Sequence, residues 1–116
     1  MRDWKERFLD MREASENIMR YASKGREAFD RDELIQNWFV RQLQILGEAA
    51  RAVPEDVRIR YPEIPWRKII GMRSILVHTY FRIDPDIVWN VVVEDIPSLL
   101  AAIDRIIDIE KTDRRP

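Results

Sequence analysis

Cysteine is absent from this 116-residue chain, and histidine occurs only once. Without cysteine the chain cannot form disulfides, use a thiolate nucleophile or bind zinc through sulfur, and it suits a reducing compartment. One histidine cannot build a histidine-rich metal site, and no HExxH sequence is present. Three scattered glycines cannot form a glycine-rich phosphate loop. We therefore expect neither a metal nor a bound cofactor.

Long apolar runs are also missing. No stretch reaches the ~20 apolar residues that a membrane-spanning helix needs. The first residues, MRDWKERFLDMRE, place charges in every turn and do not resemble a signal peptide. A hydrophobic content of 46% and a charged content of 35% are typical of a compact soluble protein. We therefore expect one cytoplasmic domain, spanning residues 1–116, with no membrane contact.

The apolar spacing predicts two long helices in the first half of the chain. The first runs from about Asp3 to Tyr21 and is ended by Gly25. Its apolar stripe is Trp4, Phe8, Met11, Ile18 and Ala22.

A second helix opens with the sequence FDRDEL. Here Asp30 is expected to cap the helix, Glu33 to complete a capping box and Phe29 to pack onto Leu34. Because the apolar residues of this helix cover more than one stripe, we expect it to be central in the fold. These residues are Leu34, Ile35, Trp38, Phe39, Ile45, Leu46, Ala49, Ala50 and Val53.

Prolines mark the boundaries of the remaining helices. Pro54 is expected to start a short helix, PEDVRIR, and YPEIP must be extended or turning. A third main helix begins near Trp66.

The last helix has a strong start signal, because Asp84 can act as an N-cap and Pro85 occupies the first helical position. Pro97 should kink or interrupt the helix near Ile96. The predicted fold class is all-α, an up-and-down bundle of four main helices plus one short helix. The buried stripe of the last helix is expected to be Val88, Val92, Leu99, Ile103 and Ile106.

Charge is unevenly distributed, although the net charge is −1. Most charged residues in the range 51–82 are basic, seven against three acidic. In the range 83–116 most are acidic, eight against four basic. A basic surface beside an acidic one permits polyanion binding at one place. On charge alone, ordinary solvated helix faces explain the pattern better.

The stretch GMRSILVHTY, residues 71–80, contains the only histidine. On an ideal helix Arg73 and Tyr80 share a face, whereas His78 points about 140° away from Arg73. One straight helix therefore cannot direct the side chains of Arg73, His78 and Tyr80 into a single site. Either the helix unwinds near His78, or a second copy of the chain completes a site around a two-fold axis. A histidine and a tyrosine at a helix end also have a purely structural explanation.

A cleft with two arginines and two histidines would suit RNA cleavage by the 2′-hydroxyl group. This reaction needs a base, an acid and cations around the phosphate. Histidine can act as acid or base, and arginine grips phosphate oxygens in bidentate fashion. No metal is required.

The pattern R-x4-H-x-Y, within PEIPWRKIIGMRSILVHTYFRIDPDIVW, resembles the HepT-like branch of the HEPN superfamily. The upstream segment QILGEAA, the helix order and the Asp-Pro start of the last helix are also similar to that branch. The resemblance covers nearly the whole chain. It implies a helical ribonuclease toxin that acts on RNA, forms a homodimer and carries its active cleft at the dimer interface.

The resemblance also implies a partner and a role for each matching residue. The partner is an MntA-type nucleotidyltransferase antitoxin, which would neutralise the toxin by transferring AMP from ATP to Tyr80 and could join it in a higher-order complex. Arg73 would hold phosphate and His78 would be the acid and base. Glu48 would orient a motif side chain, although helix pairing explains this residue equally well. Many relatives have asparagine where this chain has Ser74, so substrate positioning is in question.

Two other functions remain open on the sequence. A non-catalytic adaptor that docks a nucleotidyltransferase or binds a nucleotide would keep the tyrosine as a docking or modification site. A purely structural dimeric bundle would have no need for the intact set of Arg73, His78 and Tyr80.

Overall fold

The computed structural model describes residues 3–77 and 84–113. Within these ranges the chain forms helices and no strand, which confirms the all-α prediction. The helices are α1 (Trp4–Ala22), α2 (Arg26–Arg31), α3 (Glu33–Ala52), α4 (Glu55–Arg60), α5 (Trp66–Val77), α6 (Pro85–Glu94) and α7 (Ile96–Asp113). The last helix expected from the sequence is divided into α6 and α7, and α2 is an additional short helix that the sequence pattern does not predict.

Helix α1 has the predicted extent and buries the predicted stripe. The side chain of Asp3 caps it by accepting a hydrogen bond from the backbone N–H of Lys5. Phe8, Met11 and Ile18 are fully buried, and the other two residues of the stripe are partly buried. After the helix Gly25 adopts a φ of 91°, which a residue with a side chain rarely adopts.

The predicted start of the second helix is wrong. Asp30 lies inside the separate helix α2, and Asp32 caps α3 by accepting from the N–H of Leu34 at 2.9 Å. Phe29 does not pack on Leu34. It stacks on Phe39 in the core with ring centroids 5.3 Å apart, and Leu34 is 78% exposed. The extended backbone at Asp32 therefore separates α2 from α3, and the second main helix begins two residues later than expected.

Helix α3 is central, as predicted, because it packs against α1 on one side and α5 on another. Two residues of its apolar set are not buried, since Leu34 is 78% exposed and Trp38 is 37% exposed. Trp38 lies edge-on against the ring of Tyr21 at the surface between α1 and α3. The buried members of the set are Phe39, Leu46, Ala49, Ala50 and Val53.

The approach to α5 is fixed by hydrogen bonds to one tryptophan. The segment Tyr61–Pro65 turns, as its prolines require, and Trp66 begins α5. The indole N–H of Trp66 donates to the carbonyl oxygens of Arg58 and Tyr61 at 3.1 and 3.0 Å. This contact attaches the start of α5 to the short helix α4.

The last two helices follow the proline signals. Asp84 caps α6 by accepting from the N–H groups of Asp86 and Ile87, and Pro85 is the first helical residue. The expected interruption near Ile96 is confirmed, since α6 ends at Glu94 and α7 begins at Ile96. Pro97 has no N–H to continue the helical hydrogen bonds across this point. All five residues of the predicted stripe are buried.

An exposed ion-pair cluster fixes the start of α6 to α2. Arg26 donates to Asp86 at 2.5 Å and to Asp30 at 2.8 Å. These two hydrogen bonds raise the pKa of Arg26 above its ordinary value, and the bond to Asp86 has the larger effect.

In the part of the chain that the structure describes, no helix is long and apolar enough to cross a membrane.

Candidate functional site

The structure describes only part of the predicted site. Arg73 lies in the second half of α5, half-buried, with its guanidinium group at the surface. Ser74 follows in the same helix, but its side chain lies outside the described residues. His78 and Tyr80 also lie outside them, so their predicted roles stay predictions.

Glu48 of α3 and Arg73 of α5 meet across the interface between their helices. Nη1 of Arg73 donates a hydrogen bond to Oε1 of Glu48, which makes a charge-assisted pair. The two side chains remain 37% and 55% exposed. An ion pair with this exposure contributes only about 0–1 kcal/mol to stability, so its main consequence is the direction of the Arg73 guanidinium group.

Gly47 allows α3 and α5 to approach closely at this point. A Cβ atom on Gly47 would lie 3.1 Å from the carbonyl oxygen of Ile69 and 3.5 Å from Cβ of Arg73. The first of these distances is too short for ordinary packing and involves backbone, which cannot turn away. The missing side chain thus brings the backbone of α3 next to Arg73, and Glu48 follows directly in sequence.

Arg73 and Glu48 lie on the wall of an open groove of about 740 Å³. Side chains from α1, α3 and α5 line it, and the lining mixes guanidinium, carboxylate and amide groups. The lining residues are Arg7, Asp10, Arg41, Gln44, Ile45, Glu48, Ala49, Ala52 and Arg73. The groove can therefore hold a polar ligand beside the motif arginine.

Sequence reasoning missed most of this lining and the role of Gly47. The signal for the lining was present, because Arg41, Gln44 and Glu48 follow one another at intervals of three and four on α3. A glycine inside a helical pattern commonly marks close packing, and Gly47 fits that description. The contribution of Arg7 carried no local signal, since it depends on how α1 crosses α3.

A second cavity, of about 100 Å³, lies between α1 and α7. Its walls are mainly apolar and include Trp4, Phe8 and Ile106. At its rim the hydroxyl group of Tyr61 donates to Glu110. Lys5 and Lys111 also line it, but the cavity is too small and too apolar to hold an RNA strand.

Acidic residues at the start of α6 have structural partners. Asp84 caps the helix and Asp86 binds Arg26. Among residues 3–77 and 84–113, no group of three or more histidine, cysteine, aspartate or glutamate side chains is placed to hold a metal ion.

Comparison with known proteins identifies the family. The model of the family described as ribonuclease HepT-like matches residues 11–106, a range that contains Glu48, Arg73, His78 and Tyr80. The chain belongs to this HepT-like family. The predicted resemblance is thereby confirmed at the level of the family.

The HepT-like chain has curated relatives across most of its length. It is 40% identical over 99 residues to a protein of Thermococcus cleftensis named "Probable ribonuclease HepT", which covers 84% of this chain and 90% of the relative. It is also similar to two candidate RNases of Methanocaldococcus jannaschii. One is 35% identical, over 97% of this chain and 94% of the relative. The other is 33% identical, over 84% of this chain and 91% of the relative. No solved structure matches the chain.

Proposed function

We propose that this HepT-like chain is a metal-independent endoribonuclease and the toxin of a toxin–antitoxin pair. One observation carries the proposal beyond family membership. Glu48 holds the guanidinium group of Arg73 at the wall of an open groove, where a phosphate could reach it. The names of the relatives, all of which refer to ribonuclease activity, support the same reaction class.

The proposed reaction is an internal transesterification of RNA. A base removes the proton of a 2′-hydroxyl group, the 2′-oxygen forms a bond to phosphorus, and the bond to the 5′-oxygen of the next nucleotide breaks. An acid gives that oxygen its proton, so the products carry a 2′,3′-cyclic phosphate and a 5′-hydroxyl group. His78 is the proposed acid and base. Arg73 is proposed to stabilise the charge that develops on the phosphate oxygens.

The proposal includes a homodimer, because one histidine per chain supplies an acid or a base but not both at once. Two copies around a two-fold axis would supply both. The apolar face expected to form the interface comprises Trp66, Ile70 and Val77. Trp66 and Ile70 are half-buried against the core of their own chain, and the side chain of Val77 lies outside the described residues. Light scattering at micromolar concentration should give twice the mass of one chain, whereas a monomer would argue against the shared site.

RNA cleavage by the purified protein tests the activity itself. The wild type should cleave single-stranded RNA in the presence of EDTA and leave 2′,3′-cyclic phosphate ends, which mass spectrometry identifies. His78→Ala should abolish cleavage. Cleavage by His78→Ala at the wild-type rate would refute the catalytic proposal, and cleavage that EDTA abolishes would refute metal independence.

The proposed antitoxin is a small nucleotidyltransferase that transfers AMP from ATP to the hydroxyl group of Tyr80, with release of pyrophosphate. The added phosphate would compete with the RNA backbone for Arg73, and the nucleotide would fill the site. Incubation with the nucleotidyltransferase encoded by a neighbouring gene and ATP should add the mass of AMP to the wild type but not to Tyr80→Phe. Neutralisation without a change in mass would mean that the partner acts by binding alone.

A further inference from the structure

Two arginines of the groove have no role in the proposed chemistry. Arg7 projects from α1 and Arg41 from α3, and both line the groove together with Arg73. In contrast to Arg73, neither forms an ion pair with a carboxylate among residues 3–77 and 84–113. Within that part of the chain their guanidinium groups can bind a ligand, while the guanidinium group of Arg73 is held by Glu48.

The positions of these arginines describe a path that leads to the motif. On α3 Arg41, Gln44 and Glu48 lie on one face, and seven residues separate the first from the last. At 1.5 Å per residue this separation is about 10 Å along the helix axis. A nucleic-acid strand with helical stacking covers the same length in about three nucleotide steps of ~3.4 Å. Arg7 faces the same space from α1.

We propose that this groove binds the RNA strand on one side of the cleaved bond, with Arg41 and Arg7 contacting backbone phosphates. This inference rests on the proposed ribonuclease function and extends it by naming the residues that bind substrate away from the reacting atoms. Arginine suits this role because its planar group donates two parallel hydrogen bonds to phosphate oxygens. The amide group of Gln44, between Arg41 and Glu48, adds a donor to the same wall.

The character of the lining favours a nucleic-acid strand over a protein helix as the ligand. An amphipathic helix requires an apolar groove. Here only three of the lining residues, Ile45 and two alanines, have apolar side chains, whereas the others are three arginines, a glutamine and two carboxylates. Glu48 already neutralises part of the charge of Arg73, so the attraction for phosphate comes from Arg7 and Arg41, whose two charges exceed the one carboxylate of Asp10.

The experiment measures binding separately from cleavage. The probe is a labelled single-stranded 2′-O-methyl RNA, which has no free 2′-hydroxyl group to attack the phosphate. Its affinity is measured over a series of salt concentrations for the wild type, Arg7→Ala, Arg41→Ala and the double variant. Arg105→Ala is the matched control, because Arg105 is exposed on α7, lies outside the groove and carries the same charge. Urea unfolding of each variant checks that the fold is retained.

Each groove variant should weaken binding and reduce the slope of log K against log salt by about 0.7, the value for one phosphate contact on a single strand. The double variant should lose about twice that slope, and Arg105→Ala should retain the wild-type slope. With cleavable RNA the groove variants should raise KM more than they lower kcat.

Three results would overturn the inference. The first is no RNA binding by the wild type, and the second is equal slopes for the groove variants and Arg105→Ala. The third is a loss of neutralisation by the nucleotidyltransferase with RNA binding unchanged, which would make the groove a protein contact. RNA binding with altered slopes but no cleavage by the wild type would support the groove and refute the proposed ribonuclease function, so the two failures are distinguishable.

Discussion

Helix α3 has two faces that serve different purposes. One face carries Phe39, Leu43 and Leu46, which are completely buried against the neighbouring helices. The other carries Arg41 and Glu48, which are exposed along the groove. The free energy of folding comes mainly from apolar surface removed from water, so it resides on the first face. The second face lines the groove, where Glu48 holds Arg73 of α5 and Arg41 is proposed to contact RNA, so the two faces should respond separately to mutation.

The largest expected effect on stability comes from the buried face. Phe39→Ala should lower the free energy of unfolding by about 3–5 kcal/mol, because Phe39 is 0% exposed and stacks on Phe29. Urea unfolding followed by circular dichroism measures this loss. The rate of RNA cleavage per folded molecule should change little. A loss below about 1 kcal/mol would show that the core does not depend on this side chain.

On the groove face, Glu48→Gln should leave stability nearly unchanged and slow RNA cleavage, which is the opposite of the result expected for Phe39→Ala. The free energy of unfolding should change by less than about 1 kcal/mol, because the pair with Arg73 is exposed. The kcat for RNA cleavage should fall roughly ten- to hundredfold, because a misdirected guanidinium group no longer meets the phosphate in the correct geometry.

Glu13→Gln is the matched control for this variant, since Glu13 is an exposed glutamate of α1 outside the groove. It should leave both the kcat and the stability unchanged. If Glu48→Gln and Glu13→Gln have the same kcat, Glu48 contributes to the pairing of α3 with α5 and does not orient Arg73 for catalysis.

A smaller effect is expected where the two faces meet, at Gly47. Gly47→Ala gains roughly 0.5–1 kcal/mol of helix preference but loses about 1–3 kcal/mol through the close contact with the backbone of α5. We expect a net loss of about 1 kcal/mol in urea unfolding, together with slower RNA cleavage as Arg73 is displaced.

Gly71 provides the control for this substitution. It lies within α5, and a Cβ atom there would meet nothing within 4 Å among the described residues. Gly71→Ala should therefore raise the free energy of unfolding by roughly 0.5–1 kcal/mol. Equal effects of the two alanine substitutions would contradict the close approach of α3 and α5 at Gly47.

The same separation of faces explains which parts of the molecule the sequence could predict. Buried stripes repeat every three or four residues, so α1 and the Val88–Ile106 stripe of α6 and α7 followed from periodicity alone. The start of α3 did not. Asp30 and Asp32 are both suitable N-caps, and the choice of Asp32 depends on Phe29 reaching Phe39 in the core.

The site was predictable only in part for a related reason. Arg73 and Glu48 could be named from the resemblance, but 25 residues separate them, and their contact depends on how α3 crosses α5. The packing of α1 against α3 likewise places Arg7 and Arg41 on the same groove. No spacing within a single helix indicates either arrangement.

The central claim is that Arg73 serves RNA cleavage and not the fold. The most direct test measures kcat/KM for RNA cleavage and the free energy of unfolding on the same preparation of Arg73→Ala. We predict a fall in kcat/KM of about 10²–10³-fold with a change in stability below about 1 kcal/mol. A variant that loses stability by several kcal/mol, or that cleaves RNA at the wild-type rate, would contradict this account.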